Sequence, residues 1–314
     1  MEKRKLGNSD LEIAPLVFGG NVFGWTVDEK NSFKLLDLFT DNGFNCIDTA
    51  DGYSVWVEGH KGGESETIIG NWLKKTGKRK DVILATKVGW EIAPDKKGLS
   101  KKYILSEVES SLKRLQIDYI DLYQSHKDDL ETPADETLEA YDQLVKEGKV
   151  RYIGASNFAS QRLEESMKIS KEKNLPEYIS LQPKYNLYDR EFETEYGEII
   201  KKYNLGVITY SSLASGFLSG KYQSEKDFSK STRGGGMKKY LNEKGYSILR
   251  ILNTLSEKYN CHQASISLAW IIQNPLITAP IASATNEKQL DELMKSVNIN
   301  LTKEDIDLLN KAGT

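Results

Sequence analysis

Eight short apolar runs recur along the chain and constrain its fold more than any other feature of the sequence. They occupy residues 16–18, 46–48, 82–86, 120–124, 152–155, 180–182, 206–210 and 279–281. The runs do not alternate apolar with polar residues, which is typical of parallel strands that are covered on both faces. Most neighbouring runs are separated by one amphipathic segment of helical period. This alternation predicts a (β/α)8 barrel, the TIM-barrel fold.

The segments between the runs carry signals for the ends of helices. Thr132 and Pro133 are predicted to be the N-cap and the first residue of one helix, which Gly148 terminates. Ser100 predicts the start of a second helix, and Gly43 predicts the end of a third. The apolar face of the first of these helices consists of Leu138, Tyr141, Leu144 and Val145.

The 314 residues exceed a minimal barrel, and the excess falls in three places. An N-terminal hairpin with its turn at residues 8–10 precedes the first barrel strand. A long insertion follows the seventh strand: a polar loop at 224–240 without structure of its own, expected to be a lid or flexible, and then two helices. A C-terminal helical tail ends in a helix capped by Thr302 and Asp305. No linker divides the chain, so we predict one domain over residues 1–314.

The composition is that of an ordinary globular protein. The 43 Lys and Arg against 46 Asp and Glu give a net charge of -3, which provides no basic field for nucleic acid. Cys46 and Cys261 lie far apart and are expected to be reduced, as in a cytosolic protein. The charged N-terminal residues do not resemble a signal peptide, and no apolar run reaches the ~20 residues of a membrane span. We expect a cytoplasmic protein with no nucleic-acid or membrane partner.

Polar residues follow most of the apolar runs, at the strand ends where TIM barrels place their active sites. They are Asp48, Lys87, His126, Ser156, Asn157, Gln182, Tyr210 and Ser211. For a single position, the simpler interpretation is that solvent begins where a strand ends. Six successive strand ends with groups that titrate, donate hydrogen bonds or stack favour an active site.

Six motifs, in the right order and at matching barrel positions, resemble the aldo-keto reductase family. They are IDTADGYS, ATKVG, DLYQSHKDD, IGASNF, QPKYNLYDR and TYSSLASGFLSGKY. The resemblance covers nearly the whole chain, from PLVFGGNVFG to APIASATNEKQLDEL. It implies the barrel fold and the reduction of aldehydes or ketones to alcohols.

The resemblance implies four catalytic residues, Asp48, Tyr53, Lys87 and His126. Tyr53 is the expected general acid, and Lys87, held as a cation by Asp48, is expected to lower the pKa of the tyrosine hydroxyl. His126 is expected to orient the carbonyl and support charge on its oxygen. Each residue also has a purely structural interpretation. Asp48 and Lys87 could form an ion pair between strand ends, Tyr53 could simply pack, and His126 could be a hydrogen-bonded histidine at the barrel rim.

The resemblance also implies a nicotinamide cofactor, NADP(H). Ser156, Asn157 and Gln182 match its contacts with the carboxamide, and Tyr210 matches the platform on which the nicotinamide stacks. The other candidate cofactor residues are Gly20, Asn21, Val22, Ser211, Leu213, Gly216, Lys221, Ser283, Thr285, Gln289 and Glu292. No GxGxxG motif follows a strand, so a Rossmann fold is not expected.

The chain departs from the family pattern where the adenosine 2'-phosphate of NADP is bound. Thr285 stands where many members have an Arg, so NAD(H) remains open as the cofactor. Lys221, Arg233 and Lys238 are alternative cations, although Arg233 and Lys238 are more simply interpreted as solvated loop residues and are not assigned to the site. Leu293 replaces the Asn of the adenine-contacting motif and leaves Glu292 alone in that role.

Three tryptophans that follow strand ends, Trp25, Trp56 and Trp90, are candidates for an apolar substrate pocket, with residues 54–64 as one wall. We expect an NADP(H)-dependent reductase of a small-molecule carbonyl, without a bound metal. A cofactor-binding sensor with little turnover, similar to potassium-channel β subunits, is the alternative. A third possibility is a barrel enzyme with lyase or isomerase activity that uses no nicotinamide.

Overall fold

A closed barrel of eight parallel strands forms the centre of the computed structural model, which describes residues 1–313. In barrel order the strands are β10 (Ala279–Ala282), β3 (Val17–Gly19), β4 (Cys46–Asp48), β5 (Ile83–Val88), β6 (Ile120–Ser125), β7 (Val150–Ser156), β8 (Tyr178–Gln182) and β9 (Gly206–Thr209). Each corresponds to one predicted apolar run. The TIM-barrel prediction is therefore confirmed.

The predicted hairpin is also confirmed, and it closes the N-terminal end of the barrel. Strands β1 (Arg4–Lys5) and β2 (Glu12–Ile13) pair antiparallel. Leu6, Leu11 and Ile13 of this hairpin pack against the apolar residues that line the barrel interior. Gly7, at φ 55°, passes so close to β8 that a Cβ there would lie 2.1 Å from the carbonyl oxygen of Ile179. The hairpin turn needs glycine at this position.

Helices follow most of the strands and surround the barrel. They are α1 (Glu29–Asp41), α2 (Glu64–Thr76), α3 (Lys101–Leu115), α4 (Ala134–Lys146), α5 (Ser160–Lys173), α6 (Phe192–Glu195), α7 (Gly197–Tyr203), α8 (Glu243–Lys258), α9 (Gln263–Ile272), α10 (Glu287–Lys295) and α11 (Lys303–Ala312). Their buried apolar side chains form one continuous cluster with the outward-facing residues of the strands. Among the described residues, no helix is long and apolar enough to cross a membrane.

The helix-end signals are confirmed with one correction. The Ser100 side chain accepts a hydrogen bond from the backbone N–H of Tyr103, as expected of an N-cap. Helix α4, however, begins at Ala134, so Pro133 is its N-cap residue and not its first helical residue. The Thr132 hydroxyl, which we expected to cap this helix, donates instead to Asp129 Oδ2 at 2.6 Å. Because α4 begins one residue later than predicted, Thr132 lies just before the N-cap position.

The insertion between β9 and β10 is more ordered than expected. The polar loop at 224–240 contains two 3-10 helices, Glu225–Lys230 and Gly234–Tyr240, so the prediction that it has no structure of its own was wrong. Ser224 and Asp227 cap the first of them reciprocally. The two helices expected next are α8 and α9. The C-terminal tail consists of α10 and α11, and Thr302 and Asp305 form the expected capping box of α11.

Candidate active site

The polar side chains at the carboxyl ends of the strands converge on two adjoining cavities. Asp48 and Gln182 end β4 and β8, while His126 and Tyr210 directly follow β6 and β9. Tyr53, Gln182 and Tyr210 border both cavities. Because parallel strands end on the same side of the barrel, residues distant in sequence meet here.

The Lys87 ammonium lies at the centre of the four candidate catalytic residues. It is fully buried and donates to Asp48 Oδ2 at 2.6 Å, to the Thr49 carbonyl oxygen at 2.8 Å and to the Tyr53 hydroxyl at 3.1 Å. An ammonium has three N–H donors, and all three are engaged. The predicted ion pair between Asp48 and Lys87 is therefore present, and Tyr53 is bound to its cationic member.

Burial and charge shift the pKa values of this cluster so that Tyr53 keeps its proton and Lys87 keeps its charge. Burial lowers the pKa of Lys87, but the Asp48 carboxylate and Tyr53 outweigh it, and the net shift is upward. The pKa of Tyr53 is also raised, because burial and Asp48 together outweigh the lowering effect of Lys87. We expected Lys87 to lower this pKa; its effect has the expected sign, but it does not dominate. Tyr53 is thus protonated at neutral pH.

His126 lies beside Tyr53 and is neutral. Its ring centroid is 5.7 Å from that of Tyr53 and 5.1 Å from that of Trp90. Burial, and then the Lys87 charge, lower the pKa of the imidazole well below its usual value. A neutral imidazole carries one N–H donor, so His126 can hydrogen-bond an uncharged carbonyl oxygen.

The first cavity is a cleft of about 440 Å³ that extends from Tyr53 toward β10. Many of the candidate cofactor residues border it: Asn21, Val22, Gln182, Tyr210, Ser211, Leu213, Gly216, Lys221, Ser283, Thr285 and Gln289. Gly216 has φ 99°, and a Cβ there would approach the Lys221 side chain. Small residues and cations on one wall suit a phosphate-bearing ligand.

Arg233 also borders this cleft, although sequence reasoning treated it as a solvated loop residue. Its guanidinium lies 4.9 Å from the centroid of the Trp25 ring. The Nη2 atom is buried and has no hydrogen-bond partner among the described residues. Burial lowers the pKa of Arg233, against smaller opposing effects of Tyr222 and Tyr53. A cation that faces a cleft without a partner is suited to an anionic ligand. Only the first of the three glycines that follow Arg233 is packed: a Cβ at Gly234 would clash with the Phe228 backbone of the same loop. The sequence therefore carried no clear signal that Arg233 faces the cleft.

The second cavity, of about 270 Å³, lies between aromatic side chains on the other side of Tyr53. Trp56 and Trp90, both predicted pocket residues, border it and are 48% and 44% exposed. His126, Ser156 and Asn157 complete its wall. The Asn157 Nδ2 donates to the His126 carbonyl oxygen at 2.9 Å, and the Asn157 Oδ1 accepts from the Tyr210 hydroxyl at 2.7 Å.

Of the candidate cofactor and pocket residues, three border neither cavity. Gly20 is buried behind the cleft, where a Cβ would lie 2.9 Å from Ser65 Oγ. Glu292 forms an ion pair with Lys295 at the surface. Trp25 reaches the site indirectly, since its ring packs edge-on at 5.6 Å from Trp56.

The chain matches the model of the aldo/keto reductase family over residues 15–313. It belongs to that family. This aldo/keto reductase is 37% identical to the "Uncharacterized oxidoreductase YrpG" of Bacillus subtilis over 317 residues, which cover 99% of the chain and 95% of the relative. The "Aldo-keto reductase YhdN" of the same organism is 32% identical over 97% of the chain and 91% of the relative.

A relative with a different description is the "Probable voltage-gated potassium channel subunit beta" of Arabidopsis thaliana. It is 33% identical to the chain, over 95% of the chain and 92% of the relative. The family as a whole has an oxidoreductase fold, and NADP and carbonyl reduction are typical of it. The described aldo/keto reductase barrel thus agrees with the motifs on which the resemblance was based.

Proposed function

We propose that this aldo/keto reductase reduces aldehydes or ketones to alcohols with NADP(H). The observation that carries the proposal is the Lys87 ammonium, which binds the Asp48 carboxylate and the Tyr53 hydroxyl at the same time. Tyr53 in turn borders both the cation-lined cleft and the aromatic cavity. A proton donor placed between a site for a phosphate-bearing ligand and a site for an apolar one is suited to carbonyl reduction.

Tyr53 is the general acid in this mechanism. A nicotinamide held in the cleft would supply the hydride that the carbonyl carbon receives. Tyr53 donates its hydroxyl proton to the carbonyl oxygen, and the product is the alcohol. The adjacent Lys87 ammonium stabilises the tyrosinate that remains, until a proton from solvent restores it. The neutral His126 donates a hydrogen bond to the same oxygen as charge develops on it.

The cleft suits a dinucleotide in shape and in charge. Lys221, Lys230 and Arg233 line its wall, and Arg233 has a buried N–H group without a partner. These groups would hold the phosphates. Tyr210 would stack on the nicotinamide, while Ser156 and Asn157 lie within the adjoining wall. Near β10, the Thr285 N–H and hydroxyl both donate to Gln289 Oε1 at 2.9 Å, so this pair would meet the adenosine end.

The cofactor preference depends on which groups would hold the 2'-phosphate. Thr285 brings no charge to the position where an Arg would contact a 2'-phosphate. We assign that role to the cations of the cleft, with NADP(H) preferred and NAD(H) accepted. The ratio of kcat/KM for NADPH to that for NADH measures the preference; equal values for the two cofactors would contradict it.

The aromatic cavity points to a small neutral carbonyl compound as substrate. No charged side chain of the described residues lines it, and the pKa of His126 is lowered by burial. Trp56 and Trp90 offer flat apolar surfaces on which the substrate is desolvated.

The direct experiment is to follow NADPH oxidation with a panel of small aldehydes and ketones, in the wild type and in Tyr53→Phe. Removing a general acid should lower kcat by about 10² or more. Tyr119→Phe is the matched control, because Tyr119 precedes β6 at the opposite end of the barrel and should retain the wild-type rate. Equal rates in the wild type and Tyr53→Phe would refute the mechanism.

The similarity to a potassium channel β subunit supports a second candidate, a nicotinamide-binding sensor with little turnover. NADPH binding seen by quenched tryptophan fluorescence, without oxidation by any carbonyl in the panel, would favour it. An absence of both binding and turnover would contradict both candidates.

A further inference from the structure

A buried glutamine inside the barrel, Gln124, binds the oxygen of the Asp48 carboxylate that Lys87 does not bind. Asp48 divides its two oxygens between different partners. Its Oδ2 accepts from Lys87, while its Oδ1 accepts from Gln182 Nε2 at 2.9 Å and from Gln124 Nε2 at 3.2 Å. Gln182 Nε2 also donates to Gln124 Oε1 at 3.1 Å. The two amides and the carboxylate form a closed hydrogen-bonded group under the cavities.

The barrel is shaped to accommodate the Gln124 side chain. On β6 it pairs in register with Lys87 on one side and with Gly154 on the other. A Cβ at Gly154 would lie 3.1 Å from Gln124 Cγ and 2.5 Å from Ser180 Oγ, so glycine leaves the space that the glutamine occupies. Leu122, one step earlier on the same face of β6, is part of the apolar interior. A fully buried amide among apolar residues is unfavourable unless it is hydrogen-bonded.

Gln124 differs from Gln182 in its access to ligands. Gln182 borders both cavities, so its amide is available to a bound molecule. Gln124 borders neither of them and is fully buried. If Gln182 turns toward a ligand, Gln124 is the donor that remains on Asp48 Oδ1.

We propose that Gln124 is a positioning residue that fixes the Asp48 carboxylate and, through it, the contact of the Lys87 ammonium with the Tyr53 hydroxyl. All three Lys87 donors are engaged, so a rotation of Asp48 would move the ammonium relative to Tyr53. An amide suits this role because it donates without titrating, and it holds the carboxylate in one orientation at any pH. The proposal rests on the proposed function of Tyr53 as general acid.

The test compares Gln124→Met, Gln124→Leu and a control, Leu122→Met. Methionine has a similar length and leucine is shorter, and neither side chain has a hydrogen-bond donor. Losing a hydrogen bond to a charged group should lower kcat roughly tenfold or more in both variants, with the KM for the carbonyl within about twofold. The control alters the same face of β6 without touching Asp48 and should retain the wild-type kcat.

A second readout does not depend on turnover. The ionisation of Tyr53 is obtained from ultraviolet titration of each protein minus that of its Tyr53→Phe counterpart. Gln124→Met should move this ionisation to higher pH, because the ammonium stabilises the tyrosinate less well. An unchanged kcat and an unchanged Tyr53 titration in folded Gln124 variants would overturn the proposal. A decrease in kcat in Leu122→Met as large as that in the Gln124 variants would also overturn it. If the wild type reduces no carbonyl, the proposed function fails and the titration still decides the role of Gln124.

Discussion

Asp51, on the turn between β4 and Tyr53, should make the stability of this protein depend on pH in an unusual direction. The residue is fully buried, and neither of its carboxylate oxygens has a hydrogen-bond partner among the described residues. Its charged neighbours are two buried carboxylates, Glu66 and Glu107, and one cation, Arg114, which is bonded to both. Burial first, and then the two glutamates, raise the pKa of Asp51 well above 3.8, against an opposing effect of Arg114.

The sign and size of the effect follow from proton linkage. A carboxyl group with a raised pKa binds its proton in the folded chain at pH values where the unfolded chain has lost it. Its contribution to the free energy of unfolding is therefore complete below the unfolded pKa and is lost as the pH rises toward the folded pKa. Within that window the loss is about 1.36 kcal/mol per pH unit, or about 2.7 kcal/mol over two units. Asparagine at this position has no proton to lose.

The perturbation is Asp51→Asn, and the assay is urea unfolding of both proteins at about pH 5, 6 and 7. The stability of the variant relative to the wild type should increase with pH at up to about 1.36 kcal/mol per unit. Asp305→Asn is the control, because the pKa of Asp305 is lowered to about 2. The contribution of Asp305 is lost only as the pH falls below 3.8 toward that value. The difference in the free energy of unfolding between Asp305→Asn and the wild type should therefore stay constant from about pH 5 to about pH 7. If the difference in the free energy of unfolding between Asp51→Asn and the wild type did not change with pH, the reasoning would be refuted.

Three further substitutions test other parts of the structure. Arg233→Ala should weaken NADPH binding roughly tenfold or more, measured by fluorescence titration, since it removes a cation whose buried Nη2 has no partner among the described residues; unchanged affinity would contradict a phosphate role. Thr302→Ala removes the capping box of α11 and should lower the free energy of unfolding by about 1 kcal/mol in urea, whereas no change would mean that the cap contributes nothing. Gly7→Ala should destabilise by more than about 1 kcal/mol, because φ is 55° and the Ile179 carbonyl leaves no room for a Cβ; wild-type stability would show that the hairpin can shift.

The barrel was predictable because the signal for doubly covered strands is strong and repeated. The two wrong predictions concern local structure, at the N-cap of α4 and in the loop at 224–240. Thr132 is not the N-cap of α4 because the helix begins one residue later than the sequence signal indicated, and its hydroxyl donates to Asp129. The structure in the 224–240 loop depends on the reciprocal cap of Ser224 and Asp227, a sequence signal that the polarity of the loop obscured.

In the candidate site, the residues that belong to the quoted motifs were predictable from the sequence. Lys87 and Asp48 meet as the resemblance implied, and Tyr53 lies beside them. The net direction of the Tyr53 pKa was not accessible, because it depends on how deeply the hydroxyl is buried. Arg233 and Gln124 were not assigned, since their importance lies in contacts across the barrel with no fixed spacing in sequence.

The N-terminal hairpin has a kinetic consequence. Within residues 1–313 it closes one end of the barrel, so molecules reach Tyr53 from the other end. In the proposed reaction, the carbonyl compound and the alcohol made from it would therefore enter and leave the cavity that Trp56 and Trp90 border through the same end of the barrel. Accumulated alcohol will slow net turnover before the carbonyl compound is exhausted, because it can re-enter the pocket while the oxidised cofactor is still bound and be converted back.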